Sequence, residues 1–214
     1  MKKAFTLAEV LITLGVIGVV AVLTIPTLIQ NYRKSVVETK LKRFYTNINQ
    51  AITLAEVELG DKTLWRPTDT NDFWENYLSK YLKYLKVEDD AHRFKAVYFA
   101  DGSVVLIDLY KDSVSVNGGH FIFYPNAKYY TKFNNKDFGM TCFPFAFWPN
   151  EPNSHFKYHK NKGVEPYKAW WNGTPKSLYT DGTYGCSTTG RRFFCTALIQ
   201  LNGWKIPEDY PFKF

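Results

Sequence analysis

The sequence predicts an α+β protein in which a long N-terminal α-helix packs on a small antiparallel β-sheet. Three observations lead to this fold class. An apolar run occupies the first 30 or so residues, apolar side chains then recur at helical spacing, and the remaining chain has short β-prone runs between turn residues. A chain of 214 residues that is 45% hydrophobic and 18% aromatic suits one domain with a single core.

The apolar run predicts a membrane-spanning helix. Residues 10–29 carry no charge, and a helix of about 20 residues spans roughly 30 Å, the hydrocarbon thickness of a bilayer. A secretory signal peptide has a shorter apolar region of about 7–15 residues. A buried core helix of this length and uniformity is unusual in so small a chain. A simple anchor leaves Glu9 unexplained, because an isolated acid inside a membrane costs on the order of 2.5–3.5 kcal/mol unless it lies at the interface.

The helix continues beyond the apolar run. Its second half has an apolar face and an opposite polar face, and Gly60 is a natural stop. We therefore expect one helix from residue 5 to residue 59, with a kink or a melted turn at Pro26. The apolar face consists of Val37, Leu41, Phe44, Ile48, Ala55 and Leu59, and the polar face includes Lys40, Arg43, Asn47, Gln50 and Glu58.

The rest of the chain predicts a short helix and a small sheet. Asp72 and Glu75 have the spacing of a capping box and predict a helix that reaches about Lys86. The segment 94–110 contains Asp101 and Gly102 between two β-prone runs, which is a strong hairpin signal. Residues 120–124 predict a third strand. Residues 140–148 predict a fourth strand, which Pro144 restricts to an edge or a bulge.

Few residues point to catalysis or to metal binding. His155 and His159 have ligand-like spacing, but nearby turn residues favour a loop and no third ligand is obvious. Asp181 precedes a glycine and is interpreted as a turn residue, since no acidic cluster surrounds it. The sequence has no nucleophile-elbow, phosphate-loop or metalloprotease motif. We therefore expect no catalytic residue, no metal and no cofactor, and a protein that is not an enzyme.

The first 30 residues resemble the N-terminal signal of the type IV pilin and type II secretion pseudopilin superfamily. The resemblance is carried by Lys2-Lys3-Ala4, then Phe5-Thr6-Leu7-Ala8-Glu9, then an apolar run that reaches Pro26. In that superfamily a prepilin peptidase cuts before the phenylalanine and methylates the new amine, and the characteristic acid and proline correspond to Glu9 and Pro26. One departure is Ala4, since the residue before the cut is usually glycine.

The resemblance implies a structural subunit with three segments. Residues 1–4 form a leader peptide, residues 5–30 form a transmembrane and assembly helix, and residues 31–214 form an exported, pilin-like globular domain that includes the second half of the long helix. The implied partners are the prepilin peptidase, other copies of the chain, other pilins or pseudopilins, the bacterial inner membrane and, indirectly, an assembly ATPase. The resulting filament lies in the periplasm or at the cell surface, and the choice between pilus and pseudopilus stays open.

Physical chemistry gives Glu9 a role in such an assembly. The Glu9 carboxylate of one subunit can neutralise the Phe5 amine of a neighbour, because this attraction strengthens away from water. Both charges must be desolvated, so fixing the axial register is the better-founded benefit of the pair.

Charge bias and resemblance disagree on orientation. Arg33, Lys34 and the lysines beyond the span outnumber Lys2 and Lys3, and counting alone puts the long domain in the cytosol. The resemblance implies a cytosolic N-terminus and an exported domain, and we follow the resemblance.

The cysteines are Cys142, Cys186 and Cys195. If the domain is exported, a disulfide between Cys186 and Cys195 is expected, with Cys142 buried as a small apolar side chain. The alternative pairs Cys142 with one of the other two.

Two further functions stay open. Aromatic side chains interleaved with lysines fill residues 121–171, and most are expected to form the core. If Trp170 and Trp171 are exposed, the chain is a minor pilin that binds DNA or another surface. The formal net charge of +7 fits a negatively charged partner or a solvated surface. The second alternative is a monomeric, membrane-tethered domain in which Glu9 is merely interfacial.

Overall fold

The computed structural model describes residues 6–89, 94–111, 116–131 and 133–214. Helix α1, Leu7–Leu59, is followed by a six-stranded antiparallel sheet. The predicted α+β class is confirmed, and the architecture is consistent with a pilin-like fold.

Helix α1 runs without interruption for 53 residues. It begins after Thr6, which caps the first turn, and ends at Gly60, whose φ of +79° favours glycine. The predicted end of the helix is therefore confirmed. Pro26 lies inside the helix, and the helical assignment is unbroken on both sides of it. Of the kink or melted turn that we expected at Pro26, the melted turn is therefore wrong, because the flanking turns stay helical despite the lost backbone hydrogen bond. The kink stays a prediction.

The helical segment after α1 differs from the prediction. Helix α2, Thr70–Asp72, leads into a single wide π-helical stretch, Phe73–Leu78, and helical structure does not reach Lys86. Asp69 is the N-cap, and its side chain accepts a hydrogen bond from the Asp72 amide at 2.9 Å. The Asp72 carboxylate instead reaches back to the Thr68 amide at 2.6 Å. The predicted Asp72–Glu75 capping box is wrong because the helix begins one turn earlier.

The sheet is a simple meander in which each strand pairs with the next one along the chain. The predicted hairpin is confirmed, with Gly102 at a φ of +79°. Asp101 is a turn residue, as expected, and its Oδ1 accepts from the Ser103 amide at 3.0 Å. The strands are β1 (Lys86–Asp89), β2 (Lys95–Tyr98), β3 (Val104–Lys111), β4 (Val116–Tyr124), β5 (Phe143–Phe147) and β6 (Glu165–Pro166).

Pro144 lies in β5, which is second from the edge of the sheet and pairs with β4 in continuous register. The predicted edge or bulge position is therefore wrong. Pro144 pairs with Ile122 on β4, and its carbonyl accepts from the Tyr167 amide at 3.2 Å, past the end of the short β6. In an antiparallel pair the N and C=O of one residue point to the same side. The missing N–H of Pro144 therefore faces the short edge strand, and pairing with β4 is preserved.

The sheet buries apolar side chains on both faces. On one face Phe44 of α1 stacks on Phe123, with ring centroids 4.4 Å apart, and meets Phe145 edge-on. The other face is covered by the segment that follows β4, which contributes Phe138 and Cys142. The remaining helices, α3 (Ser177–Thr180) and α4 (Cys195–Leu201), lie in the C-terminal part, and short 3₁₀ turns cover Lys62–Leu64, Ala127–Tyr129, Asn135–Asp137 and Ser154–Phe156.

Candidate functional site

The first half of α1 projects from the domain with its whole surface exposed. Side chains on every side of this half are solvent-accessible, including Leu7 at 78% and Ile17 at 62%. Within the described residues, α1 is the one helix long and apolar enough to cross a membrane. This half of α1 is compatible with a single-pass membrane anchor.

Glu9 is bound within its own chain at the start of this anchor. Its Oε2 accepts hydrogen bonds from the Thr6 amide at 2.8 Å and from the Thr6 hydroxyl at 2.9 Å. The Thr6 hydroxyl in turn accepts from the Glu9 amide at 3.3 Å. These contacts form a capping box, which satisfies donors that the first turn of a helix otherwise leaves open. From the sequence we expected Glu9 either to pair with a neighbouring subunit or to lie at the membrane interface. The Thr-x-x-Glu spacing was the signal for this contact inside the chain.

The predicted processing site lies outside the described residues. Ala4 and Phe5 both precede Thr6, so the cleavage and the methylation stay predictions. Pro26 marks the last quarter of the predicted span, and the helix passes through it intact.

The second half of α1 is held to the domain by polar contacts as well as by packing. The buried Glu38 carboxylate accepts from the Ile206 amide at 2.9 Å and from Lys205 Nζ at 2.8 Å. Lys40 Nζ donates to the carbonyls of Asp101 and Pro125, both at 2.7 Å. The C-terminal tail and two loops of the sheet are thereby fixed against the helix directly above the predicted span.

The disulfide pairing is confirmed. Cys186 and Cys195 are bonded, with Cα atoms 4.6 Å apart. Cys142 is free and buried, as expected, and the alternative pairings are wrong. Burial raises the pKa of the Cys142 thiol well above its ordinary value. This thiol is therefore packed as a small apolar group and is not a reactive nucleophile.

Trp170 and Trp171 lie in different environments. Trp170 is 48% exposed, adopts a φ of +69°, and stacks on His155 with ring centroids 3.3 Å apart. Trp171 is half-buried beside Tyr158, and its indole N–H donates to the Thr174 carbonyl at 3.0 Å. A positive φ is uncommon for a bulky residue and indicates that the surrounding structure holds Trp170 in place. Of these two tryptophans, Trp170 therefore has the more exposed ring.

The two histidines do not form a metal site. His155 stacks at the surface, whereas His159 is fully buried and its Nε2 accepts from the Lys168 amide at 3.0 Å. Burial lowers the pKa of His159 to about 3, with the nearby positive charges of Lys168 and Lys162 acting in the same direction. Across residues 6–89, 94–111, 116–131 and 133–214, no three His, Cys, Asp or Glu side chains are grouped so as to hold a metal ion.

Asp181 has the role of a turn residue. Its Oδ1 accepts from the amides of Thr183 at 2.9 Å and Tyr184 at 2.7 Å. A carboxylate with these two donors shapes the loop before Cys186 and is not available as a calcium ligand on the same oxygen.

A pocket that the sequence does not reveal lies between α1 and the loop after β4. Its volume is about 460 Å³, and we call it the basic pocket. Its residues are far apart in sequence, so only the folded chain brings them together. The one signal in the sequence was the group of cations after the apolar run, which we used only to argue orientation. The cations that line the pocket are Arg33, Lys40, Lys128 and Lys213, and its other lining side chains include Tyr32, Val36, Val37, Tyr129, Met140 and Phe214.

Comparison with known proteins gives a family but no function. No curated protein matches this chain. No solved structure matches it either. A family of unknown function, DUF6613, matches residues 27–214, a stretch that begins directly after Pro26 and includes every strand of the sheet. Because the match covers most of the chain, this protein belongs to the DUF6613 family.

Proposed function

We propose that this protein is a prepilin-like structural subunit. It is cleaved by a prepilin peptidase between Ala4 and Phe5, methylated on the Phe5 amine, and assembled through the first half of α1 into a type IV pilus or a type II secretion pseudopilus. One observation carries the proposal. The helix that anchors the domain extends beyond it as a bare apolar rod with a single acid at its start.

The bare apolar rod must be covered by an environment other than water. Exposed apolar surface of this extent is unfavourable in water, so lipid or other apolar helices must cover it. A membrane covers it before assembly, and the same segments of neighbouring subunits cover it in a filament. A rod that is apolar on all sides suits both environments, whereas a helix that packs on one soluble domain needs only one apolar face.

Glu9 has two successive partners in this proposal. In the single chain its carboxylate is bound by Thr6, which reduces the penalty for placing an acid near the membrane. After cleavage, a charged amine is created on Phe5, the residue directly before Thr6. In the filament, the amine of a neighbouring subunit replaces or joins the Thr6 donors, and the attraction between opposite charges sets the register of the packed helices.

The remaining features are consistent with an exported domain. A bonded cysteine pair is typical of oxidising compartments and is uncommon in cytosolic proteins. The proposed location is the bacterial inner membrane, with the C-terminal domain on the outer side and the filament in the periplasm or at the cell surface. The proposed partners are the prepilin peptidase, other copies, related pilins and, indirectly, an assembly ATPase. The proposal assigns no catalytic residue and no cofactor.

Three variants of the full chain test the role of the Glu9 charge. Glu9→Gln keeps an acceptor for the capping box but removes the charge. Thr6→Ala removes the hydroxyl of the capping box and keeps the charge. Glu9→Ala removes the side-chain acceptor of the capping box and also the charge. We expect Glu9→Gln and Glu9→Ala to abolish or severely reduce filaments in sheared surface fractions or overexpressed pseudopili, while Thr6→Ala assembles.

Membrane fractionation of the same variants separates assembly from insertion. All three variants are expected to remain in the inner membrane with a folded domain. Filaments from Glu9→Gln at the level of the unaltered chain would contradict the proposal and favour a monomeric tethered domain with an interfacial acid.

A second candidate function is favoured by Trp170. Its exposed ring, stacked on His155 and held at a positive φ, is a suitable platform for a base or a sugar. On this account the chain is a minor pilin that binds DNA or a surface. Retention of the full chain on immobilised single-stranded DNA should then fall with salt and be lost in Trp170→Ala. The Trp171→Phe variant, which changes the half-buried neighbour, should still bind. Absence of retention in the unaltered chain would end this candidate.

A further inference from the structure

The basic pocket lies at the level where a membrane-anchored α1 leaves the lipid. Ile29 ends the apolar run, and Arg33 follows about 6 Å further along the helix axis at 1.5 Å per residue. Lys40 lies about 16 Å beyond Ile29. The headgroup layer on each side of a bilayer is roughly 5–8 Å thick. The end of the pocket nearest the apolar run, formed by Tyr32 and Arg33, therefore lies in this layer when α1 spans the membrane.

The charged side chains that line the pocket are all positive. Four cations line it, and no acidic side chain of the described residues does. Within the same residues no carboxylate forms an ion pair with Arg33, Lys128 or Lys213. Lys40 is held by two loop carbonyls, so its charge is oriented and is not neutralised. A cavity of this kind attracts an anion, and the attraction is stronger where water is partly excluded.

Most of the remaining lining is apolar or aromatic, and Asn126 and Thr141 are its neutral polar side chains. Val36, Val37 and Met140 line the same cavity. Tyr32, at the end of the pocket nearest the apolar run, is 70% exposed. Tyrosine is enriched at the level of lipid headgroups, where its ring lies in the apolar layer and its hydroxyl reaches water. Free phosphate has no apolar part to cover these side chains. A ligand with a phosphate and an attached hydrocarbon region matches both parts of the lining.

From this geometry we propose that the basic pocket binds the phosphate headgroup of an anionic phospholipid from the leaflet next to the domain. Arg33, Lys128 and Lys213 contact the phosphate, and the apolar part of the lining contacts the glycerol and the upper acyl chain. Lys40 holds the Pro125 loop, which forms part of the wall. The bound lipid thereby fixes the domain against the membrane surface. The inference rests on the membrane placement of α1 and is independent of whether the chain assembles into a filament.

Native mass spectrometry of the full chain tests this proposal. The chain is released from mixed micelles that contain equal amounts of phosphatidylglycerol and phosphatidylcholine. We expect at least about fivefold more retained phosphatidylglycerol than phosphatidylcholine, since even one surface cation contributes roughly a fivefold preference for anionic lipid. The triple variant Arg33→Gln, Lys128→Gln, Lys213→Gln should lose the preference.

A matched control removes the same charge elsewhere. The triple variant Lys80→Gln, Lys160→Gln, Lys162→Gln changes three exposed lysines that do not line the basic pocket, and it should keep the preference. Near-ultraviolet circular dichroism checks that both triple variants are folded. The single variant Lys128→Gln, in an exposed turn, replaces the pocket triple if that variant is unfolded.

Four outcomes would overturn the proposal. The first is equal retention of the two lipids by the unaltered chain, which needs no variant. The second is an unchanged preference in the folded pocket variant. The third is displacement of the lipid by inorganic phosphate at the same concentration as the lipid, which would show a phosphate site to which the apolar lining contributes nothing. The fourth is a dimer in the same spectra that is lost in the pocket variant without any lipid preference, which would show that a second copy occupies the pocket.

Discussion

The two halves of α1 belong to one unbroken helix but have opposite surroundings. In the first half, residues such as Ile17 are exposed on every side of the helix, whereas in the second half Leu41, Ile48 and Ala55 have no exposed surface. The second half is amphipathic, because only one face meets the sheet. The first half is apolar all round, which suits a surrounding of lipid or of other helices. One continuous helix can therefore pass from an apolar surrounding into a folded domain. The side-chain pattern shows which half of the helix lies in which environment.

The largest expected effect on stability comes from making the same substitution, isoleucine to alanine, in each half of α1. Ile48→Ala removes a fully buried side chain and should lower the free energy of unfolding by about 2–5 kcal/mol. Ile17→Ala makes the same chemical change in the exposed half and should leave the stability of the domain unchanged. Chemical denaturation of the full chain in detergent, followed by tryptophan fluorescence, measures both. Equal destabilisation by the two variants would contradict the division of α1 into an exposed and a packed half.

The disulfide gives the next largest effect, in the tail that packs on the second half. Reduction of Cys186–Cys195 should cost about 2–3 kcal/mol, because a short loop is released in the unfolded chain. Thermal melting of the domain with and without reductant measures this cost. The Cys142→Ala variant keeps the disulfide and should still respond to reductant, whereas Cys186→Ala with Cys195→Ala should not. A melting temperature of the unaltered chain that is insensitive to reductant would show that the disulfide does not stabilise the domain.

A pH effect is expected from His159, which precedes Val164, whose carbonyl accepts a hydrogen bond from Asn49 of α1 at 2.8 Å. The folded-state pKa of about 3 lies below the ordinary value of 6.5, so the unfolded chain binds a proton more readily. The stability is then fully present above about pH 6.5 and falls as the pH decreases toward 3. At about pH 5 the loss is about 2 kcal/mol.

His159→Gln should remove this part of the pH dependence, since glutamine offers an acceptor to the Lys168 amide but does not titrate in this range. His155→Gln changes the histidine at the surface stack and should keep the pH dependence of the unaltered chain. Denaturation curves at several pH values between about 7 and 5 measure the slopes. Identical slopes for the unaltered chain and His159→Gln would show that His159 does not cause the effect.

The elements predicted well from the sequence are those with a strong local signal. Gly60 ends α1 because its φ of +79° favours glycine, and Asp101 with Gly102 makes the hairpin by local hydrogen bonds. The Cys186–Cys195 pair closes a short loop. Each of these features depends on residues close in sequence, so tertiary packing did not alter the outcome.

The elements predicted poorly depend on distant contacts. Strand β1, Lys86–Asp89, is a mostly exposed edge with no apolar alternation, and only its pairing with β2 makes it a strand. Strand β6 has two residues and exists because β5 is beside it. The basic pocket joins Arg33, Lys128 and Lys213, each of which is separated from the others by 85 residues or more in the chain. Sequence spacing carries no information about such a cluster.

The central claim is that the mature chain begins, after processing, at Phe5 and that α1 carries the subunit into an assembly. Mass spectrometry of the N-terminal peptide, from protein isolated from the membrane of its native host, tests it most directly. We predict a chain that starts at Phe5 with a methylated amine and an intact Glu9. A mature chain that still starts at Met1, or that starts beyond the apolar run, would contradict the account.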